Sequence, residues 1–245
     1  PLYILAGLSL QSCVKLDQEP FNDLSEQNSF LSVEDAQYWI NGMYDGLREN
    51  TYGNAMYSTD VQADFLNAVR RNNEVLPELH RWTNFTSSNG TTAAIWMAYY
   101  KAIQDINVAL KGIPNVPISK ERERVERAQI QRNLGELYLG RAYYYTYLIT
   151  HFCGAYDASS TYGLPILREF KVSNFPAPST LKETYEFILE DIARAQQLLD
   201  TTTGTEGATT FTVDAAKALK ARVLLYKGEW AAAYATAKSL IDAGT

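Results

Sequence analysis

Apolar residues at helical spacing constrain this chain more than any other feature. Ile130, Leu134, Leu137, Tyr144, Leu148 and Phe152 share one face of a helix expected from about residue 119 to 151. Side chains three, four and seven apart lie on one side of a helix, so such a stripe has to be buried against another element. The same pattern recurs elsewhere. Ala36, Ile40, Met43 and Leu47 follow Ser32-Val33-Glu34-Asp35, a capping-box spacing with Asp in place of the usual Glu or Gln. Trp96, Tyr99, Ile103, Ile106 and Leu110 form a stripe that Gly112-Ile113-Pro114 stops. Thr180-Leu181-Lys182-Glu183 is another capping-box spacing, and Ile188, Ile192, Ala195 and Leu199 follow it. Residues 215–227 and 230–243 read as a helical hairpin about Gly228-Glu229. No segment carries a convincing strand period, so the chain is read as all-α.

The segments between these helices are long. Residues 54–91 show no sustained period and hold Arg70-Arg71-Asn72-Asn73, Trp82 and Ser87-Ser88-Asn89-Gly90. A loop of that length in a compact domain is usually functional or unstructured. Residues 154–178 are rich in Gly and Pro, and 201–212 read as a solvated Thr/Gly loop. Arg141 falls inside the apolar stripe of its helix, so its guanidinium is expected to meet a carboxylate or backbone carbonyls. The hairpin is more specific. Gly228-Glu-Trp230-Ala-Ala-Ala233-Tyr-Ala-Thr-Ala237 resembles the turn and second helix of a tetratricopeptide unit. One such unit cannot bury its own face. The expected architecture is therefore a tetratricopeptide-like α-α superhelix with long loops, with helices at 93–111, 119–152 and 180–199 supplying the further pairs. Ala233 and Ala237 should face the preceding helix.

Composition narrows the function classes. A net charge of −6 and a pI near 5.1 argue against a nucleic-acid partner. Cys13 and Cys153, with His80 and His151 far apart, offer neither a disulfide framework nor metal-ligand spacing, and no cofactor is expected. Seventeen Tyr and four Trp supply amphipathic rings that suit helix packing and also suit stacking on sugar faces. Trp39, Trp96 and Trp230 sit in helical stripes and are read as packing residues. His80 and His151 are read as surface or loop-edge residues.

The chain starts with an apolar run, Leu2 to Leu10, that ends in Gln11-Ser12-Cys13 before charge begins at Lys15 and Asp17. The run is too short to span a bilayer as a helix. It suits the apolar core of a signal peptide. Small Ser12 before Cys13 fits lipoprotein cleavage, with Cys13 as the mature first residue carrying a diacylglycerol. Residues 1–12 are thus expected to be a signal-peptide remnant and 13–245 a helical domain. The alternative is an ordinary buried N-terminal helix with a core cysteine.

Several segments converge on one family. Leu10-Gln-Ser-Cys13 is followed by Leu16-Asp-Gln-Glu-Pro20, then by the helix Glu34-Asp-Ala-Gln-Tyr-Trp-Ile-Asn-Gly-Met-Tyr-Asp-Gly-Leu-Arg48. Trp96-Met-Ala-Tyr-Tyr-Lys-Ala-Ile-Gln-Asp-Ile-Asn107, Leu139-Gly-Arg-Ala-Tyr-Tyr-Tyr-Thr-Tyr-Leu148 and Tyr162-Gly-Leu-Pro-Ile-Leu167 come next, and Ala215-Ala-Lys-Ala-Leu-Lys-Ala-Arg222 leads into the hairpin. In this order and spacing they resemble the SusD/RagB family of surface nutrient-binding lipoproteins. Family members continue beyond the region matched here, so the resemblance implies that 13–245 is the N-terminal helical part.

The resemblance implies a lid-like lipoprotein of the outer membrane, facing outside. It would bind an oligosaccharide, or in some members a peptide, and pass it to a TonB-dependent, SusC-like transporter without breaking a bond. Such recognition needs a concave site with rings for apolar sugar faces and polar groups for hydroxyls. Within 54–91, Trp82 supplies a ring, Asn84 a donor and acceptor, and Arg70 a donor fork, with Asp64 behind them. Trp82 read only as a loop anchor is the competing view. Two other function classes stay open here. A surface glycosidase would need paired acids, and Asp60/Asp64 and Glu190/Asp191 are the nearby pairs. A protein-interaction scaffold would need only the helical repeats.

Overall fold

The computed structural model describes residues 29–69, 76–83, 86, 89–171, 176–199 and 209–244, with Asn54 described by its backbone alone. Cys13, expected to carry the lipid, and the site candidates Arg70 and Asn84 lie outside the described residues. In chain order the elements are α1 (Val33–Asn50), a π turn (Thr51–Ala55), α2 (Met56–Gln62), α3 (Pro77–His80), α4 (Gly90–Gly112), α5 (Glu123–Phe152), α6 (Leu181–Leu198), α7 (Val213–Tyr226) and α8 (Trp230–Ala243). Short 3₁₀ turns at Ile113–Asn115 and Lys120–Arg122 join α4 to α5. No strand occurs among the described residues. The fold is all-α and tetratricopeptide-like, as expected.

The helices start where a side chain can satisfy their free amides. Ser32 Oγ accepts from Asp35 N at 3.1 Å, while Asp35 Oδ2 accepts from Leu31 N at 3.0 Å. Aspartate thus completes a capping box by reaching the residue before the cap. Thr180 and Glu183 make the full reciprocal pair: Thr180 Oγ1 accepts from Glu183 N at 3.1 Å, and Glu183 Oε2 accepts from Thr180 N at 2.8 Å. Asn89 caps α4 and Thr212 caps α7 in the same way. Caps of this kind contribute about 1 kcal/mol each.

Helix α5 is the centre of the bundle and packs on α1, α4, α6 and α7. Its buried Leu137, Tyr145 and Leu148 meet Ile103 of α4 and Ile188 and Ile192 of α6 in one apolar core. Arg141 enters that core. Its Nε and Nη2 donate to the two Asp191 oxygens at 2.7 and 2.8 Å, and Nη1 donates to Asn107 Oδ1 at 2.6 Å and to Arg168 O at 3.3 Å. Both the expected carboxylate and an expected backbone carbonyl are present. The two side chains are 5% and 1% exposed. Burial pushes the Asp191 carboxyl up from the ordinary carboxylate value, against the pull of the Arg141 fork. Asn107 Nδ2 donates onward to Leu167 O at 2.9 Å, which fastens the 163–167 segment to α4.

Three expectations need correction. Residues 54–91 are not wholly loop, because α2 and α3 form there; seven and four residues are too few to establish a period. The end of the Thr/Gly segment is not solvated. Thr210 Oγ1 accepts from Arg132 Nη2, Phe211 packs on Tyr44, and Thr212 is buried. Trp230 is not a packing residue in this structure, since it is 71% exposed with Tyr234 and Ile241 on the outer side of α8. The hairpin itself is as read. Gly228 turns the chain at φ 80°, a left-handed conformation glycine adopts without Cβ strain. Ala233 is buried and Ala237 half-buried as α8 returns along α7. Trp39 and Trp96 do pack on the core, Trp39 stacked on Phe30 at 5.3 Å and Trp96 against Tyr100 and Phe152.

Candidate functional site

The edge built from residues 51–69 and 76–83 differs from the rest of the described molecule in backbone and in surface. The π turn widens the helix after α1, and Gly53 (φ −95°, ψ −135°) kinks the chain there. Such π bulges are frequent at functional sites. Helix α2 ends in a tight turn in which Phe65 N and Leu66 N both donate to Asp60 O, at 2.9 and 3.1 Å. Asp64, Leu76 and Trp82 have φ of 59°, 57° and 52°. Among the described residues these are the non-glycine positions with positive φ, and all three belong to this edge. A left-handed conformation costs roughly 1–2 kcal/mol for a residue with a Cβ. Strain held in this way clusters at ligand sites and switch regions.

The edge also shows apolar rings to solvent. Phe65 is 81% and Trp82 65% exposed, and Tyr52, Tyr57, Leu66 and Val69 are exposed beside them in sequence. Trp82 is nevertheless held in place. Its indole Nε1–H donates to Gln62 O at 3.1 Å and its backbone N–H to Leu79 O at 3.3 Å. The end of α2 and the end of α3 are thus tied together through one ring that is 65% exposed. Asp64 stands at the same junction, its exposed carboxylate 3.8 Å from His80 Nδ1. That separation is too long for a hydrogen bond. His80 Nδ1 is buried without a hydrogen-bond partner. Of the four site residues expected from sequence, the structure therefore brings Trp82 and Asp64 to one rim. His80, read as a loop-edge residue, joins them there.

A ladder of α5 side chains carries this rim. Tyr143 and Thr51 share a hydrogen bond at 3.3 Å, Asn50 Nδ2 donates to Tyr144 OH at 3.2 Å, and Tyr147 OH donates to Ala55 O at 3.3 Å. His151 stacks on Tyr147 with ring centroids 3.8 Å apart, and its Nε2 lies 3.5 Å from Thr59 Oγ1. Tyr143, Tyr147 and His151 are four apart and so lie on one helix face. That spacing was visible in the sequence, but the sequence alone did not separate it from ordinary core packing. Burial pushes Tyr144 up to about 12 and raises Tyr147, so both phenols stay protonated and able to bond. Burial lowers the His151 imidazole from its ordinary value.

The Glu190/Asp191 pair does not face one cavity as a catalytic pair would. Asp191 is buried under Arg141, whereas neighbouring Glu190 is paired with Arg168 at 3.1 Å and Arg194 at 2.7 Å on the surface. Asp60 has its carbonyl engaged in the turn after α2, one turn of chain before exposed Asp64. Chemically, the rim offers stacking faces, a carboxylate and a fixed indole. No helix among the described residues is long and apolar enough to cross a membrane.

Comparison with known proteins gives the family of the chain. A SusD-like protein of Formosa agariphila is 26% identical over 239 residues, covering 95% of this chain and 42% of the relative. A SusD superfamily protein from Bacteroides thetaiotaomicron has the same fold at TM-score 0.71 and 24% identity, over 86% of this chain and 46% of its own. A laminarin-binding SusD-like protein superposes at TM-score 0.64 and 21% identity, over 84% of this chain and 43% of its own. The chain spans less than half the length of these relatives. A family model described as starch-binding and associating with the outer membrane matches residues 16–225. With that match across most of its length and this helical scaffold beneath it, the chain belongs to the SusD-like family.

Proposed function

We propose that this chain is the N-terminal, tetratricopeptide-like part of a surface lipoprotein. It binds oligosaccharide and hands it to a TonB-dependent outer-membrane transporter without breaking a bond. The family description, starch-binding and associating with the outer membrane, supports the ligand class and the location. The laminarin-binding structural neighbour supports a neutral glycan. The observation that carries the reading is Trp82: a ring 65% exposed, fixed by its own N–H, on the strained rim beside Asp64. An oriented aromatic face stacks on the C–H face of a sugar and loses little freedom in doing so. Asp64 then accepts from sugar hydroxyls. Arg70 and Asn84 complete the same proposal from their place in the sequence, and Cys13 carries the lipid.

The test is calorimetry with laminari- and malto-oligosaccharides on the protein at its natural length. Trp82→Ala should weaken binding about tenfold or more, in line with roughly 1–3 kcal/mol for a stacked ring. The melting curve should hardly move. Unchanged affinity with a large fall in melting temperature would make Trp82 a loop anchor and remove the rim from the site. For the anchor, Cys13→Ala should release the protein from the membrane fraction. Each buried methylene contributes about 0.8 kcal/mol to acyl anchoring, so little attachment survives without the chains.

A further inference from the structure

Helix α2 is held at both ends by groups outside it. The last carbonyls of a helix have no partner within it. Gln62 O, on the last residue of α2, accepts the indole N–H of Trp82 at 3.1 Å. The direction of that carbonyl follows the axis of α2, and the indole follows the carbonyl. At the other end, Ala55 caps α2 and its carbonyl gathers three hydroxyls. Ala55 O accepts from Ser58 Oγ at 2.9 Å, from Thr59 Oγ1 at 3.0 Å and from Tyr147 OH at 3.3 Å. Ser58 and Thr59 belong to α2 and move with it. Tyr147 belongs to α5, so its bond ties the head of α2 to the core.

Tyr147 is itself firmly seated. Its ring packs on His151 at 3.8 Å and on Tyr99 of α4 at 4.6 Å, and Tyr99 is buried. Burial raises the Tyr147 phenol above its ordinary pKa, while the hydroxyls of Thr59 and Ser58 pull it back down. The three hydroxyls therefore share one polar junction around Ala55 O. From there α2 reaches Gln62 in seven residues, a stiff link of about 10 Å. A tilt of about 10° at its head would displace its far end by roughly 2 Å, more than a hydrogen bond tolerates. We propose that Tyr147 is a positioning residue for the glycan-contact ring of Trp82: its hydroxyl fixes the head of α2, and α2 aims the Gln62 carbonyl that orients the indole.

This rests on the rim reading above, and the test separates the two. It uses the protein at its natural length as Tyr147→Phe, Trp82→Ala, the double variant and Tyr100→Phe. Tyr147→Phe keeps the ring and removes only the hydroxyl. Tyr100→Phe is the control, because its hydroxyl bonds Pro165 O instead of α2. Two quantities are read: the indole N–H signal of Trp82 in the free protein, identified by its loss in Trp82→Ala, and the affinity for laminari- and malto-oligosaccharides by calorimetry. Tyr147→Phe should shift or broaden the indole signal and weaken binding about twofold to tenfold, the range for ordering one side chain on binding. Tyr100→Phe should do neither. In the Trp82→Ala background, Tyr147→Phe should weaken binding no further, because its route to the ligand is gone. Four outcomes overturn the proposal. An unmoved indole signal or an unchanged affinity in Tyr147→Phe, with Trp82→Ala still weakening binding, leaves the rim reading standing without Tyr147. An equal loss from Tyr147→Phe with and without Trp82 gives Tyr147 another route to the ligand. A matching loss in Tyr100→Phe is general loosening of the fold. If no oligosaccharide binds, or Trp82→Ala leaves affinity unchanged, the rim reading falls and the positioning role falls with it.

Discussion

The α5–α6 core and the rim formed by residues 51–69 and 76–83 are both rich in aromatic residues, yet they use them in opposite ways. In the core, Tyr145, Phe187 and Arg141 are buried together, and the polar ends of Tyr145 and Arg141 reach partners: Tyr145 meets Pro165 and Leu167, and Arg141 meets Asp191, Asn107 and Arg168. On the rim, Phe65 and Trp82 stay exposed on a backbone with three left-handed residues. The core lowers its energy by removing rings from water. The rim gives up that gain and accepts strain, the expected balance for a surface that acts by contact with something else. Between them, Tyr144 bonds the end of α1, and Tyr143 and Tyr147 bond the π turn, to the core. This lets an exposed surface be held in a fixed position.

The sharpest way to break this comparison is at Arg141. Arg141→Met strands a buried Asp191 and should cost about 3–5 kcal/mol, read as a fall in urea midpoint. The double change Arg141→Met with Asp191→Leu should recover much of that loss, because no charge is then left unpaired. A small effect of the single change would mean that water reaches the pair. Next in size is Gly163→Ala. Its added Cβ would lie 2.5 Å from Thr180 O and 2.6 Å from Ser179 O, backbone atoms that cannot swing aside. Overpacking of this kind costs typically 1–3 kcal/mol and should loosen the 163–167 segment. Thr180→Ala should cost about 1 kcal/mol through the lost cap. On the rim, Trp82→Ala should change stability by about 1 kcal/mol, since most of the ring is already in water and its bond to Gln62 O is lost.

The smallest effect is a pH dependence at the joint between the two regions. The folded protein holds the His151 imidazole below its ordinary pKa, chiefly by burial beside Tyr147. The unfolded chain therefore takes up a proton that the folded ring resists. His151's contribution is fully present above the unfolded value, about 6.5, and falls away as pH drops through and below it. Solvent at the ring edge damps the change. Urea midpoints of the protein and of His151→Gln, compared from about pH 8 to about pH 5, should converge on the acid side. Parallel curves would show that the ring titrates as it does in water.

Much of the scaffold was legible before any coordinates. The stripe through Leu137 and Leu148, the cap at Thr180–Glu183 and the turn at Gly228 are local patterns, and local patterns survive folding when the tertiary packing agrees with them. Arg141 was legible for the same reason. A guanidinium in an apolar stripe has few affordable fates, although the identity of its partner, 50 residues away, was not written in the spacing. Reading failed where length or context withheld the signal. Helices α2 and α3 were too short to show a period. Trp230 stood in a helical stripe, and nothing local said that this stripe would face outward. Thr210 and Phe211 looked solvated by composition because Arg132 and Tyr44, their partners, are distant in sequence.

For the rim, the sequence singled out a long aromatic-bearing segment with Trp82 and Asp64 in it. It could not place the two at one junction, show His80 beside them, or reveal the left-handed backbone. Those depend on how α2 and α3 come together, through the bond from Trp82 to Gln62 O, and on how Tyr147 holds the π turn at Ala55 O, contacts between residues far apart in sequence. Helix class, capping and family were determined by the order of side chains along the chain, since each rests on interactions within a few residues or on their succession. Which rings are buried, which are held in water and which carbonyl each hydroxyl reaches were decided only by the tertiary structure. These are properties of a surface, and a surface exists only once distant segments have met.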